Sequence, residues 1–301
     1  MIRQTLMIGA CLLSCSSFAS NTWFDDVTPL TQAHQHLLKG SFSEMYSVMV
    51  EVLQRDQSPS MREHINDLLV QSFDADCGKA LQNDPLPNWL RNVSIKRTSI
   101  QSPGQESYRV FVDVTATQQL RDVSLDRWIN ASIATDNEFA PISEPQAQSR
   151  SANIEYRKTY NLNSRLPMGL YHLNVETRDN QSYSTWVIIE EYKAKQIVRW
   201  SDNDSWSIEK NELLNKFCPL PKLSVRIYNY QEDQYREVWG QTYQANYPTQ
   251  LEQMEIPPDR YVLSIALDSQ RWQGPIIIEQ SQIITKTYDI SVDEADLEDN
   301  E

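Results

Sequence analysis

The chain has 301 residues, of which 27 are basic and 41 are acidic, so its formal net charge is −14 at neutral pH. This excess of negative charge argues against binding to DNA, RNA or an anionic membrane surface, because their phosphates would repel it. The seven glycines are dispersed, and no glycine-rich loop that cradles a nucleotide phosphate can be written from them. We therefore predict no nucleic-acid partner and no cofactor.

Residues 1–19 have the pattern of a secretory signal peptide, in which Arg3 precedes a short apolar run and Ser17 and Ala19 occupy the small-residue positions before cleavage. The apolar run is too short to cross a bilayer, which takes about 20 residues. An alternative is a lipoprotein signal, in which Cys15 is lipidated and becomes the mature N-terminus. The first pattern predicts a periplasmic or secreted protein and the second predicts an outer-membrane lipoprotein, and neither leaves a transmembrane span in the mature chain.

Cys77 and Cys218 are the two cysteines that remain after the leader is removed. An even number of cysteines in an oxidising compartment predicts a disulfide between them. The bridge would close a loop of 141 residues, and the loss of loop entropy in the unfolded chain then stabilises the fold by at most roughly 5 kcal/mol. The alternative is a pair of buried free thiols.

The first structural region is predicted to be helical, because apolar side chains recur every three or four residues from Thr28 to about Gln82. Gly40 is a stop signal after the first helix, and Pro59 is typical of the first turn of the third. A short fourth helix is expected around 75–81. These helices are too short to bury much by themselves, so we expect them to pack on another layer.

The period changes to two from Val93 onward, after a boundary marked by Pro85 and Pro87. Short alternating strands follow, interrupted by the segment SWSIEKNELLNKF, whose apolar spacing predicts a helix. The predicted order is a signal peptide at 1–19, a helical domain at 20–90, a first β-sandwich at 91–203, a linker helix at 204–218, a second β-sandwich at 219–292 and a disordered acidic tail at 293–301.

The sequence contains a repeat of two similar segments. They are LPMGLYHLNVET, which begins at Leu166, and IPPDRYVLSIAL, which begins at Ile256. Tyr171 falls on Tyr261 at an offset of ninety residues, and the returning strand VIIE at 187–190 aligns with IIIE at 276–279. Each copy is typical of a core hairpin, with a proline before a strand that alternates apolar residues. Two copies predict an α+β multidomain protein with two tandem antiparallel β-sandwich domains after the helical region.

The motif LPMGLYHLNV resembles a hairpin of immunoglobulin-like and transthyretin-like modules in bacterial envelope and surface proteins, which implies an interaction or spacer module. The second copy departs from it, since Asp259 stands where the first copy has Gly169. The order of leader, NTWFDDVTPLTQAHQHLLKG, DADCGKAL and β region is also similar to an uncharacterised family of exported Gram-negative proteins associated with the operon of the Vxr envelope-stress sensor kinase. That resemblance implies a periplasmic accessory of envelope sensing, whose partner is an envelope or periplasmic protein such as a sensor-kinase periplasmic domain.

The candidate chemical groups are sparse. The histidines lack the tight ligand spacing of a zinc site, so no metal site is predicted. Glu190 and Glu191 are adjacent on a predicted strand and should point to opposite faces, which makes them a poor glycosidase pair. The four histidines are His34, His36, His64 and His172.

Five aromatic residues of the second β region cluster in the sequence, at Tyr228, Tyr230, Tyr235, Trp239 and Tyr243. They are interpreted either as cover for a core or sheet edge, or as an exposed platform on which sugars or peptides stack.

The favoured hypothesis is a non-enzymatic periplasmic protein-interaction factor, with a possible role in envelope sensing or two-component signalling. The alternative is a glycan or peptidoglycan-binding module, and a weaker one is a hydrolase that uses carboxylates. An apolar groove or patch would favour a protein partner, a flat exposed aromatic row would favour a glycan, and an enzyme would require a deep cleft with converging acids.

Overall fold

The computed structural model describes residues 28–129, 131–142, 153–202, 204–231, 234–251 and 256–290. The predicted leader at 1–19 and the predicted acidic tail at 293–301 lie outside these ranges, as does Cys15.

The helical region predicted after Thr28 is present, and two of the predicted signals, Gly40 after the first helix and Pro59 at the start of the third, lie where expected. The Thr28 side chain caps the first helix in a capping box, and Gly40 ends it in a left-handed conformation. Ser58 caps the third helix, whose first residue is Pro59. The elements are α1 Pro29–Lys39, α2 Phe42–Arg55, α3 Pro59–Asp76 and a 3₁₀ turn at Lys79–Leu81.

The rest of the described chain is almost entirely β. The strands are β1 Leu90–Ser102, β2 Gln105–Ala116, β3 Leu120–Arg127, β4 Ala131–Ser132, β5 Asn137–Pro141, β6 Ile154–Leu162, β7 Gly169–Thr177, β8 Ser182–Ile189, β9 Gln196–Trp200, β10 Trp206–Lys210, β11 Lys222–Gln231, β12 Gln234–Tyr243, β13 Arg260–Gln273 and β14 Ile276–Asp289.

These strands form three sheets in the described part of the chain. A large sheet has the order β12-β11-β13-β14-β1-β2-β6-β5, a four-stranded sheet has the order β4-β3-β7-β8, and β9 pairs with β10. Within the large sheet β14 runs parallel to β1, with Ser94 opposite Ile277 and Gln101 opposite Ile284. This pairing joins strands from the two ends of the β region.

The four-stranded sheet is the middle of three layers. Leu173 and Val175 of β7 are buried against the large sheet, whereas Leu170 of β7 and Ile188 of β8 are buried against the helices. Because successive side chains on a strand point to opposite faces, a strand covered on both sides reads as a continuous apolar run. The helices therefore pack on a sheet, as their short length required.

The prediction of two separate tandem sandwiches is corrected by the sheet topology. Two apolar clusters do exist: one lies between the four-stranded sheet and part of the large sheet, and the other lies between the β9–β10 hairpin and the part formed by β11, β13 and β14. However, the large sheet is continuous across both, and β14 supplies Ile278 to the first cluster and Ile284 to the second. Strand β9, assigned to the first sandwich at 91–203, contributes Val198 to the second cluster.

The predicted linker helix at 204–218 is wrong. Trp206–Lys210 is strand β10, and the residues up to 221 contain no regular element. Trp206 is buried in the second apolar cluster, and Ile208 packs against it. These two residues have the spacing of a strand, and their burial favours the strand over the helix that the spacing to Leu213 predicted.

Each of the two similar segments forms part of a hairpin, and each contains the same tyrosine-to-proline hydrogen bond. The Tyr171 hydroxyl donates to the Pro167 carbonyl at 2.7 Å, and the Tyr261 hydroxyl donates to the Pro257 carbonyl at 2.6 Å. Each tyrosine thus holds the chain that enters its own strand.

The returning strands of these two hairpins are not equivalent. Tyr171 lies opposite Val187, whereas Tyr261 lies opposite Tyr288. The sequence alignment of 187–190 with 276–279 therefore fails in the structure, because β13 runs to Gln273 before it turns.

The shared sheet leads to a prediction about cooperativity. A fragment of residues 219–290, which spans the predicted second sandwich, should not fold alone, because β14 loses its pairing with β1 and the β9–β10 hairpin no longer covers the apolar cluster. A fragment of residues 196–290 restores the hairpin but still lacks β1. Circular dichroism and amide-proton dispersion should show both fragments as unfolded and the full chain as folded; cooperative melting of either fragment would contradict the shared sheet.

Candidate interaction groove

A polar band crosses the inner face of the large sheet, between the two apolar clusters. On β14 the residues Ile278, Gln280, Gln282 and Ile284 share one face by alternation, so two glutamines separate two buried isoleucines. The register places Arg97 beside Gln280 on β1. The neighbouring residues of the band are Ser99 on β1 and Ser269 and Arg271 on β13.

A cavity of about 490 Å³ lies over this band. Its walls come from helix α3, from the connection 190–196 between β8 and β9, and from the irregular segment 212–221 between β10 and β11. We call this cavity the α3 groove. Its volume is in the range of ordinary ligand and peptide pockets.

Helix α3 gives the groove one wall through side chains at helical spacing. Asp67, Val70, Gln71 and Asp74 are all exposed and line the groove, three or four residues apart. The opposite stripe of α3, which includes Ile65 and the other apolar residues of the helix, is buried in the helical layer. One helix therefore serves both the core and the groove.

The segment 212–221 forms the second wall, and the predicted disulfide holds it in place. Cys77, at the C-terminal cap of α3, is bonded to Cys218, and their Cα atoms are 5.0 Å apart. The Asn215 side-chain amide donates to the Phe73 carbonyl at 2.9 Å and to the Asp74 carboxylate at 3.0 Å. The segment has no strand or helix of its own, so these links fix its position.

The end of α3 is also docked on the β13–β14 turn through its backbone. The Trp272 amide donates to the Cys77 carbonyl at 2.9 Å, and the Gly274 amide donates to the Gly78 carbonyl at 3.0 Å. Gly78 has a φ of 88°, and a β-carbon there would lie 2.1 Å from the Trp272 carbonyl oxygen. Only glycine permits this approach.

Apolar side chains line the groove, and others are exposed on the segment that forms its second wall. Val70 and Leu214 line the cavity, whereas Leu213, Phe217 and Leu220 do not. Within the segment, Leu213, Phe217 and Leu220 are exposed, Leu213 by 93%. Val70 on the α3 wall is also exposed. These four belong to the ten large apolar side chains that are exposed in the described part of the chain. An apolar surface beside a groove is characteristic of an interaction site.

A buried ion cluster supports the floor of the groove. Arg97 of β1 and Arg271 of β13 each donate to the Glu190 carboxylate, which directly follows β8. Arg97 also donates to the Glu190 carbonyl at 3.0 Å, and the Arg271 guanidinium lies over the Phe73 ring at 4.7 Å. Burial would raise the pKa of Glu190, but the charges of Arg271 and Arg97 outweigh it and lower that pKa to about 2.

The charged contacts of this cluster are made within it, although its three residues line the cavity. The Nε atoms of Arg97 and Arg271 are buried and have no hydrogen-bond partner among the described residues. Glu190 stays ionised at neutral pH with both oxygens engaged, so it is unsuited to act as a general acid.

Side chains from other elements form hydrogen bonds with backbone groups of β8, which is the edge strand of its sheet. Gln273 accepts from the Ile188 amide at 3.1 Å and donates to the Trp186 carbonyl at 2.9 Å, while Arg271 donates to the Ile188 carbonyl at 3.3 Å. The Tyr46 hydroxyl of α2 donates to the same Trp186 carbonyl at 2.9 Å. Side chains thus take the place of a neighbouring strand and join the three layers where the groove begins.

The five predicted platform aromatics divide between the two faces of the large sheet. Trp239 lies opposite Ile227 and Tyr243 opposite Leu223, and both pack against the second apolar cluster. Tyr230 lies opposite Tyr235 with ring centroids 4.9 Å apart and planes at 49°, and both are exposed. Tyr228 follows the buried Ile227 and so points to the other face, at a β-bulge. No flat platform of five rings exists.

The histidines lie apart from the groove. His34 of α1 has a lowered pKa, because of burial first and the charge of His64 second. The His172 ring lies 4.7 Å from the Trp186 ring under the helices. In the described ranges no three His, Cys, Asp or Glu side chains are grouped as metal ligands.

The groove was not predicted from the sequence. Two signals were present in hindsight: the strand IIIEQSQII places two glutamines on an otherwise apolar face, and Leu213, Phe217 and Leu220 flank a cysteine predicted to be bonded. None of the described helices is long and apolar enough to cross a membrane.

The fold and the groove define a mainly β protein with a helical layer and a supported surface cavity. A family model matches residues 23–289, and the chain belongs to that family, described as protein of unknown function DUF2861. This finding agrees with the resemblance to an uncharacterised family, whereas the link to a sensor-kinase operon stays a prediction. No curated protein matches the sequence.

Among solved structures, the chain is similar to one described as the crystal structure of DIP-gamma IG1+IG2. The match covers 68% of this chain and 99% of that chain, at 9% sequence identity and a TM-score of 0.22. At that TM-score the likeness carries no argument about fold or function.

The ion cluster yields a prediction about pH. Glu190→Gln leaves two buried guanidinium groups without a counter-charge and should lower the free energy of unfolding by about 3–5 kcal/mol at pH 7. The folded pKa of Glu190 is depressed, so its stabilisation is present above about pH 4.5 and is lost as the pH falls toward about 2. Urea unfolding of wild type and variant should therefore converge at low pH.

The matched control is Glu209→Gln, which removes an exposed pair with Arg199 and should cost less than about 1 kcal/mol. An equal loss for Glu190→Gln at pH 7 and at pH 2 would show that the charge of Glu190 is not what stabilises the fold.

The disulfide yields a prediction about the groove wall. Reduction should lower the free energy of unfolding by roughly 2–5 kcal/mol and release the segment 212–221. Chymotrypsin should then cleave faster after Phe217 under native conditions, while cleavage after the exposed Tyr235 stays unchanged as an internal control. Identical cleavage at Phe217 with and without reductant would mean that the bridge does not hold this wall.

Proposed function

We propose that this protein is an exported, non-enzymatic interaction factor that binds an envelope protein through the α3 groove. The observation that carries the proposal is a cavity of about 490 Å³ that is lined by the exposed Val70 and the half-buried Leu214, beside a segment on which Leu213, Phe217 and Leu220 are exposed. Exposed apolar side chains are costly to keep in water and mark surfaces that another molecule covers.

The construction of the groove supports a binding role. The bridge between Cys77 and Cys218 and the hydrogen bonds of Asn215 order a segment that has no regular structure. Since the segment is fixed before a partner arrives, less conformational entropy is lost on binding. A disulfide also agrees with an oxidising compartment such as the periplasm.

The resemblance to proteins encoded with an envelope-stress sensor kinase supports one choice of partner. We propose the periplasmic domain of such a sensor, with the α3 groove as the contact. A site that recognises a protein segment needs apolar anchor positions and a polar rim, and the groove has both.

Glycan binding is the second candidate, and it rests on Tyr230 and Tyr235. These residues are 55% and 64% exposed, close to the end of β11 and the start of β12, where a sugar could stack on one ring. Their mutual tilt of 49° and the burial of Trp239 and Tyr243 make this surface smaller than the predicted platform.

The test is site-specific photocrosslinking in intact cells. A photoreactive residue at Leu213, whose neighbours Glu212 and Leu214 line the groove, should give a discrete protein adduct that Leu214→Ser reduces. The same probe at Leu38, which is 78% exposed on α1, is the matched control and should give none. Adducts made only of cell-wall fragments, or equal adducts at both positions, would overturn the proposal.

A further inference from the structure

The charges around the α3 groove are unbalanced in sign. Four exposed carboxylates line it, those of Asp67, Asp74, Glu191 and Glu212. Across the described ranges none of the four forms an ion pair. Two ammonium groups, of Lys193 and Lys195, lie on the connection between β8 and β9.

The α3 wall is the most negative side. The C-terminal end of a helix carries a partial negative charge, and cations are favoured beside it. The last turn of α3 contains no basic residue, and it contributes Asp74 to the groove. Asn215, a neutral residue, is the partner of that carboxylate.

The buried cluster does not reverse this sign at the rim. Arg97 and Arg271 direct their Nη groups at Glu190 and at backbone carbonyls, and their side chains are 8% and 9% exposed. Glu190 balances one of their two positive charges, and the other lies in the floor below the rim. A ligand at the rim therefore meets four exposed carboxylates against two ammonium groups and this one buried charge, on a chain of net charge −14.

From these observations, and resting on the proposed function, we infer that the α3 groove binds a short cationic segment of its protein partner that carries apolar anchor side chains. The anchors pack on Val70 and Leu214, and lysine or arginine side chains of the segment lie against Asp67, Asp74 and Glu212, all of which line the groove. Apolar contact supplies affinity, and the carboxylates select the sign of the segment's charge.

Two synthetic peptides of twelve residues test the inference, one with leucines flanked by lysines and the other with the same leucines flanked by glutamates. Fluorescence anisotropy with the mature protein should show the lysine peptide binding at least tenfold more tightly at low salt, with an advantage that shrinks as salt is raised. Equal binding of the two peptides, or preference for the glutamate peptide, would overturn the inference.

Matched variants separate groove binding from general attraction to an acidic protein. Asp67→Asn with Asp74→Asn should weaken the lysine peptide roughly fivefold to tenfold, as two rim charges are lost. Glu138→Gln with Asp179→Asn removes the same charge from exposed positions outside the groove and should leave the affinity unchanged. Equal weakening by both double variants would mean non-specific attraction and would refute the inference.

The contribution of the apolar anchors is tested with a second pair of variants. Leu214→Ser, at a position that lines the groove, should weaken the lysine peptide severalfold, whereas Leu38→Ser should not. If neither peptide binds and crosslinking at Leu213 also fails, the proposed function itself is wrong. If crosslinking captures a protein and the peptides show no charge preference, only the inference about the segment's charge fails.

Discussion

The contact on which the architecture depends is the one between Glu190 and the two arginines Arg97 and Arg271. It joins the end of β8 in the middle layer to β1 and β13 in the large sheet. A buried ion cluster gives little net stability compared with an apolar substitute, but removal of one member leaves an uncompensated charge. Its role here is to fix the place where the middle sheet ends, because that place determines where the connection 190–196 crosses the large sheet.

That crossing explains why a cavity exists at all. The connection passes over a polar band that includes Gln280 and Gln282, a surface that cannot be sealed by apolar packing. The two apolar clusters on either side are complete without it. The groove is therefore what remains between two cores that share one sheet, and the disulfide-held segment beside it adds an apolar wall.

Local patterns predicted the local structure well. Gly40 and Pro59 marked helix ends, and the two similar segments marked two hairpins, because these signals act between residues that are close in the chain. The disulfide was predicted by cysteine count and compartment alone. The single sheet was not predicted, since the pairing of Ser94 with Ile277 leaves no trace in either strand's own alternation. The prediction of a linker helix was wrong because the spacing of Trp206 and Ile208 fits a strand as well as a helix, and their burial in the second apolar cluster favours the strand.

The candidate site was harder to predict for the same physical reason. Its residues come from α3, two connections and three strands, and each is ordinary in its own segment. The aromatic cluster, whose members are close in the sequence, was interpreted either as cover for a core or sheet edge or as one exposed platform, and the structure divides it between the two. A bulge at Ile227 and Tyr228 shifted the alternation and sent Trp239 and Tyr243 to the core.

The parallel pairing of β1 with β14 has a consequence for the order of folding. A chain that emerges from a ribosome or a translocation channel presents β1 long before β14, since Ser94 precedes its partner Ile277 by 183 residues. Until β14 is made, the backbone groups on one side of β1 have no strand to pair with. Until Cys218 is made, the Cys77 thiol has no disulfide partner. The nascent molecule therefore passes through a period with an open edge and a reactive thiol, during which protection by folding helpers matters more than it does for the finished protein.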